Sequence, residues 1–226
     1  MSNSKLKPRY GIFGAERLND ATFTGRFDFP FTPGTVLHES TLDGIPFDHI
    51  SDRAIPVEAV LHFYVHDRRF LPFVEAPDRW MDRLERFPRV IGLDHSVYRD
   101  LPLAEQIHSL YLNRAMDWDL HRRGKIVIPN ATWGDWRTFD FCFDGIEPGR
   151  TVAVSTHGTC QLRAAKYHFL QGLAELLDRL CPPSIVVHGP MFPEAQELLA
   201  DRSVRIIAMR SRLSKAHGRE VRHEQV

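Results

Sequence analysis

The chain has 226 residues, of which 43% are hydrophobic and 26% charged. That composition suits one globular domain with a sizeable core and excludes wholesale disorder. Lys plus Arg and Asp plus Glu each number 29, so the formal net charge is zero and a generally polybasic nucleic-acid binder is excluded.

In chain order, residues 1–55 read as an irregular N-terminal extension packed on the core. Dense Gly and Pro punctuation, from Gly11 to Pro46, forbids a long helix there. A short strand is expected at Tyr10–Phe13 and a hairpin across Ala21–Phe29. From residue 56 to 209 the pattern becomes strand and helix in alternation, read as one domain. Strands are expected at Ala59–Val65, Arg89–Leu93, Lys125–Ile128, Thr151–Ser155, Ser184–Val187 and Val204–Met209. Between them, Pro77–Phe87 carries Trp80, Leu84 and Phe87 at helical spacing. Leu103–Arg123 carries Leu103, Ile107, Leu110, Tyr111 and Arg114 on one stripe and stops at Gly124. Gln161–Leu180 and Pro193–Asp201 are the remaining helices. Phe139–Gly145 alternates with period two and reads as a half-buried extended piece ending in an Asp-Gly turn. Residues 210–226 form a charged C-terminal tail.

Six short, nearly continuous apolar strands alternating with helices indicate an α/β fold with a parallel sheet covered on both faces. Parallel β/α repeats forming an incomplete TIM-barrel-like structure are favoured, because polar residues follow one strand after another as a ring of loops requires. The alternative is an open doubly wound sheet. No run of about 18 apolar residues is present, and Met1–Pro8 holds no apolar stretch, so neither a membrane span nor a secretion signal is expected. Cys142, Cys160 and Cys181 lack CxxC spacing and fit reduced thiols in a cytoplasmic protein.

In parallel α/β folds chemistry collects beyond the carboxyl ends of the strands. The first expected strand delivers His66, Asp67, Arg68 and Arg69 there. The second delivers Asp94, His95, Ser96, Val97 and Tyr98, and the third Asn130, Thr132 and Trp133. The fourth delivers Ser155, Thr156 and His157, and the fifth His188 and Gly189. Asp94 and Asp67 follow consecutive strands and are the candidate catalytic pair; two close carboxylates split their pKa values into an acid and a base. Ser96, Tyr98, Asn130, Trp133, Ser155, Thr156 and His188 are candidate substrate contacts, with Trp133 as a stacking surface. The bland alternative is that each Asp caps a turn and Trp133 merely packs. A metal held by His66, His95, His157 and His188 is conceivable, but no HExxH-type pair supports it and no metal site is assigned. The sequence specifies no cofactor.

The chain carries His62-Phe63-Tyr64 with Asp67 and Phe70; Asp94-His95-Ser96-Val97-Tyr98 with Pro102; and Ile128-Pro129 with Trp133. Phe139 to Ile146, Val152 to Thr156, and Ile185 to Gly189 complete the set. Together these stretches resemble an uncharacterised family met in bacteria, archaea, phages and mobile elements, domain of unknown function 4417. Asp67, Asp94, Ser96, Tyr98, Trp133 and Ser155 fall on the family pattern, whereas His95 and His157 depart from it. The resemblance implies a stand-alone cytoplasmic domain with its polar residues at strand ends, and implies no particular reaction.

Three functional readings follow. One is an enzyme acting on a small polar, nucleotide- or sugar-like substrate through Asp94 and Asp67. Another is a nucleic-acid-associated accessory protein of phage or mobile elements, contacting phosphates through Arg68, Arg69, Arg122, Arg123 and the tail. The third is a non-catalytic interaction protein, which predicts no enclosed pocket near Asp67, Asp94 and Trp133.

Overall fold

The computed structural model describes residues 15–52, 58–157 and 163–211. Seven strands form one sheet in which every ladder is parallel: β1 (Thr41–Pro46), β2 (Val60–His62), β3 (Arg89–Ile91), β4 (Ile126–Ile128), β5 (Val152–Ser155), β6 (Ser184–His188) and β7 (Arg205–Ser211). The spatial order is β4-β3-β2-β1-β7-β6-β5. Its two ends meet: Asn130 bridges Ala153 in parallel, with Ala131 N–H donating to Ala153 O at 2.8 Å and Ala153 N–H to Pro129 O at 2.9 Å. Strands consecutive in the sequence are therefore neighbours all the way round. A doubly wound sheet reverses its order part-way; this sheet nearly closes into a TIM-like barrel instead.

The alternation of side chains explains what fills it. Leu42, Val60, Ile91, Ile128, Ala153, Val186, Ile207 and Met209 pack together as the apolar interior. Two residues further along three of these strands, on the same face, come His62, Ser155 and His188. The interior thus turns polar toward the carboxyl ends. Gly44 of β1 faces this layer. A Cβ there would lie 2.7 Å from Met209 Sδ and 3.1 Å from His62 Cδ2, so the absent side chain makes room for both.

Helices cover the outside: α1 (Leu71–Glu75), α2 (Met81–Leu84), α3 (Leu103–Arg122), α4 (Arg163–Leu180) and α5 (Pro193–Asp201). Leu173, Leu176 and Leu180 of α4 and Ala195 and Leu199 of α5 bury against Val152, Val154 and Ile185. Met116 and Leu120 of α3 bury against Leu61, Val90 and Val127. Among the described residues no helix is long and apolar enough to cross a membrane.

The six expected strands are all present, and the Ala21–Phe29 hairpin appears as Phe23–Thr24 paired with Phe29–Pro30. Three local expectations are corrected. The stretch before residue 56 is not wholly irregular, because Thr41–Pro46 is a strand in the middle of the sheet, paired with β2 and β7. Its Asp43, Gly44 and Pro46 are poor strand formers, and the surrounding barrel overrides them. Pro77–Phe87 is not one helix: Pro77–Trp80 is a 3-10 turn and α2 has four residues. Phe139–Gly145 is a run of turns rather than an extended piece. Its carbonyls at Cys142 and Asp144 are satisfied by the buried Arg114 guanidinium, and Phe141 packs edge-on against Phe27. The strand expected at Tyr10–Phe13 and the tail from residue 212 lie outside the described residues.

Candidate functional site

The loops at the carboxyl ends of β2, β3, β4 and β5, with the first turns of α4, enclose a cleft of about 560 Å³. Its walls include Tyr64, His66, Asp94, Ser96, Tyr98 and Arg99 on one side. Asn130, Thr132, Trp133, Ser155, His157 and His168 supply the other. Of the nine candidate residues, six line it: Asp94, Ser96, Tyr98, Asn130, Trp133 and Ser155. Asp67, Thr156 and His188 stand behind it.

Asp94 follows β3 and sits at the inner end of the cleft. Asn130 Nδ2 donates to its Oδ1 at 2.7 Å, and Asn130 Oδ1 accepts from Tyr64 Oη at 2.9 Å. Burial drives the Asp94 carboxyl up to about 6. The Asn130 bond opposes that rise and the nearby charge of Asp67 adds to it. Tyr64 is pushed well above the usual phenol range, first by burial and then by the charges of Asp94 and Asp117, so it remains a hydrogen-bond donor.

Asp67 stands behind the cleft, with both carboxylate oxygens engaged by the β3 loop. Its Oδ1 accepts from Ser96 Oγ at 2.9 Å, its Oδ2 accepts from Ser96 N–H at 3.3 Å, and His95 Nδ1 stands 3.9 Å from Oδ2. The carboxylate is a brace holding the β3 loop to the β2 loop.

On the opposite wall, Ser155 Oγ lies 3.1 Å from His188 Nδ1 and accepts from His157 N–H at 3.3 Å. The His188 ring is sandwiched between Tyr64, at 4.7 Å and 12°, and His157, at 5.0 Å and 24°. Burial and the neighbouring His157 lower its pKa to about 4, and burial with the nearby His188 lowers that of His62 to about 3. Both rings are therefore neutral at ordinary pH. Thr156 is fully buried and donates to Pro190 O at 2.8 Å, locking the β5 loop to the β6 loop.

Trp133 is more wall than open platform. Its Nε1 donates to His168 O at 3.2 Å, and its ring lies against Phe169 and over Gly172 of α4. A Cβ at Gly172 would come within 2.1 Å of Trp133 Nε1.

The support beneath the site comes largely from α3, a helix the sequence indicated without showing this supporting part. Asn113, Arg114 and Asp117 are buried on its inner face. Asn113 accepts from His95 N–H and donates to His95 O. Asp117 accepts from Leu93 N–H at 2.9 Å. Arg114 donates to the carbonyls of Asn130, Cys142 and Asp144. Burial raises Asp117 to about 7 against the opposing pull of Arg114. The available signal was three polar residues at spacing i, i+1 and i+4 on the stripe that carries Leu110.

Among the described residues no group of three or more His, Cys, Asp or Glu side chains converges as a metal site, so His66, His95, His157 and His188 do not form one. The four arginines proposed to meet phosphates do not share a face. Arg68 and Arg69 follow β2 at the cleft end. Arg122 and Arg123 end α3 at the far end of the barrel, bonded to Asp119, with Arg123 also pairing with Asp78.

A family model described as a domain of unknown function (DUF4417) matches residues 36–207. The chain belongs to this family. The DUF4417 match begins just before β1 and ends within β7, so it spans the barrel and every residue of the cleft. The Gene 1 protein of Mycobacterium phage L5 is 35% identical over 140 residues, covering 62% of this chain and 61% of that protein. The Gene 1 protein of Mycobacterium phage D29 is 36% identical over 129 residues, covering 57% and 48%. The chain thus spans roughly half to three-fifths of the curated relatives it matches. No solved structure matches it.

Proposed function

We propose that the cleft is the active site of an enzyme acting on a small polar, nucleotide- or sugar-like substrate, with Asp94 as its general acid–base. The observation that carries this reading is the state of Asp94. It is a half-buried carboxyl opening onto the cleft, with one oxygen tied down and a pKa pushed up to about 6. A catalytic acid–base works best with a pKa near the operating pH.

Asn130 also determines which oxygen acts. Its Nδ2 donates to Oδ1, so the proton resides on Oδ2. Reversing the Asn130 amide would set its oxygen against the Leu93 carbonyl, to which Nδ2 also donates at 3.4 Å. Oδ2 is thereby the atom that gives a proton to, or takes one from, a bound substrate. Ser96, Tyr98 and Ser155 supply hydroxyls that orient it, and Trp133 forms an apolar wall. Asp67 serves as a positioning residue: it fixes Ser96, and its charge helps keep Asp94 protonated. Thr156 and His188 hold the floor on which Ser155 stands.

The interaction-protein reading is less well supported, because it anticipated no pocket beside Asp94 and Trp133. The accessory-protein reading loses the arginine pair at the far end of the barrel. The test compares wild-type protein with Asp94→Asn against a metabolite library, scoring thermal shift and turnover. Ligands that stabilise and are converted by the wild type, and are bound but not converted by Asp94→Asn, support the proposal. An identical ligand profile and identical turnover would remove Asp94 from the chemistry.

A further inference from the structure

We propose that the substrate is a single-stranded oligonucleotide, with one nucleotide in the cleft and the adjoining base stacked on Trp136 at its mouth. This rests on the reading of the cleft as the active site and adds the class of molecule that enters it.

Trp136 is 71% exposed, the highest value among the exposed large hydrophobic residues described. Its backbone is nonetheless held firmly. Asp135 Oδ1 accepts from Arg137 N–H and Nε, and Oδ2 accepts from Arg137 Nη2. Thr138 Oγ1 donates to Asp135 O and accepts from Gly134 N–H. Arg137 Nη2 also donates to Arg99 O at 2.7 Å, tying this turn to the loop that carries Tyr98, itself 52% exposed. Gly134, Arg99 and Tyr98 line the cleft, so the braced turn forms part of its rim. A large aromatic ring carried in water on a braced backbone beside a cleft offers its face to a flat partner, and aromatic platforms of this kind stack successive bases of a single strand.

Sugar rings also stack on tryptophan, and charge separates the two. Among the described residues Asp94 is the one carboxylate lining the cleft, and burial favours its neutral form. Arg99 lines the mouth, exposed Arg68 and Arg69 follow cleft-lining His66 past Asp67, with Arg69 3.7 Å from Asp48, and His157 and His168 add imidazoles. Arginines beside aromatic rings suit a phosphate-linked chain, whose full negative charges a neutral glycan lacks. A net charge of zero is compatible with this, since the reading calls only on Arg99, Arg68 and Arg69 near the cleft and not on Arg122 and Arg123 at the far end.

The experiment is fluorescence anisotropy with labelled single strands of DNA and RNA of about eight nucleotides at roughly 50 mM salt, with a neutral oligosaccharide as competitor. Saturable binding is expected. Trp136→Ala should weaken it about tenfold and Trp136→Phe should retain most of it. Arg68→Ala should reduce the slope of log K against log salt by about 0.7. No oligonucleotide binding, binding indifferent to Trp136→Ala, or displacement by the oligosaccharide would overturn the assignment. If oligonucleotides fail while the metabolite screen still finds Asp94-dependent turnover, only the substrate class falls. If oligonucleotides bind through Trp136 but no strand or metabolite is converted in an Asp94-dependent way, the active-site reading falls and the binding surface stands.

Discussion

The side-chain amide of Asn130 donates to Oδ1 of Asp94 across 2.7 Å, and this single bond determines where the Asp94 proton sits. The amide is itself immobilised. Tyr64 Oη occupies its oxygen, and Arg114 holds its backbone carbonyl at 3.1 Å. Buried polar groups linked in this way are costly to leave half-satisfied, so each member fixes the next.

Asp94 makes the fold sensitive to pH in a defined direction. Its folded pKa, about 6, lies above the ordinary 3.8, so the native state holds the proton more tightly than the unfolded chain. The stability this confers is complete below pH 3.8 and is lost as pH rises through about 6. Asp94→Asn removes the effect while keeping an acceptor for Asn130. Denaturant titrations at pH 4 and pH 8 should show the variant gaining on wild type at the higher pH by about 2–3 kcal/mol. Equal pH dependence in the two proteins would show that Asp94 titrates normally.

His62 acts in the opposite sense. Burial depresses its folded pKa from 6.5 to about 3, so its contribution to stability is complete above pH 6.5 and is lost as pH falls toward 3. His62→Asn keeps an acceptor for Tyr64 N–H, which now bonds His62 Nδ1 at 3.2 Å, but cannot take up a proton. Acid unfolding followed by circular dichroism should move to lower pH in the variant, with a relative gain near pH 3.5 of about 3–4 kcal/mol at most. An unmoved acid midpoint would contradict the assignment.

The Trp133 wall depends on a glycine one helix away. Gly172→Ala brings a methyl group onto the indole ring, and the rotamer or the helix must yield. Overpacking of this kind costs about 1–3 kcal/mol, although alanine is the better helix former. A lower melting temperature together with a changed tryptophan emission spectrum is expected. A higher melting temperature would mean that the indole does not rest on Gly172.

The strand–helix alternation, and with it the barrel, was legible because apolar runs such as Val152–Ser155 and Ser184–His188 are local signals. β1 was not, because Gly44 is there to admit His62 and Met209, a reason that exists only once the barrel has formed. The cleft was legible to the extent that a residue's place at a strand end decides it, which sufficed for Asp94, Asn130 and Ser155. Chain spacing could not distinguish Asp94, open to the cleft, from Asp67, whose two oxygens are both taken by Ser96. Patterning marked α3 as a helix but could not reveal its supporting part, because its inner face carries Asn113, Arg114 and Asp117 among its apolar residues. That combination looks like a solvated face until the loops it anchors are in place.

The central claim is that Asp94 is a carboxylic acid poised near neutrality at the base of the cleft. Carbon-detected NMR of the side-chain carboxyl, titrated from pH 3 to pH 9 and assigned by its loss in Asp94→Asn, measures this directly. The account predicts a midpoint near 6 for Asp94, moving higher in Asn130→Ala as the bond that favours the ionised form is removed. A midpoint near the ordinary 3.8, unmoved by Asn130→Ala, would contradict it.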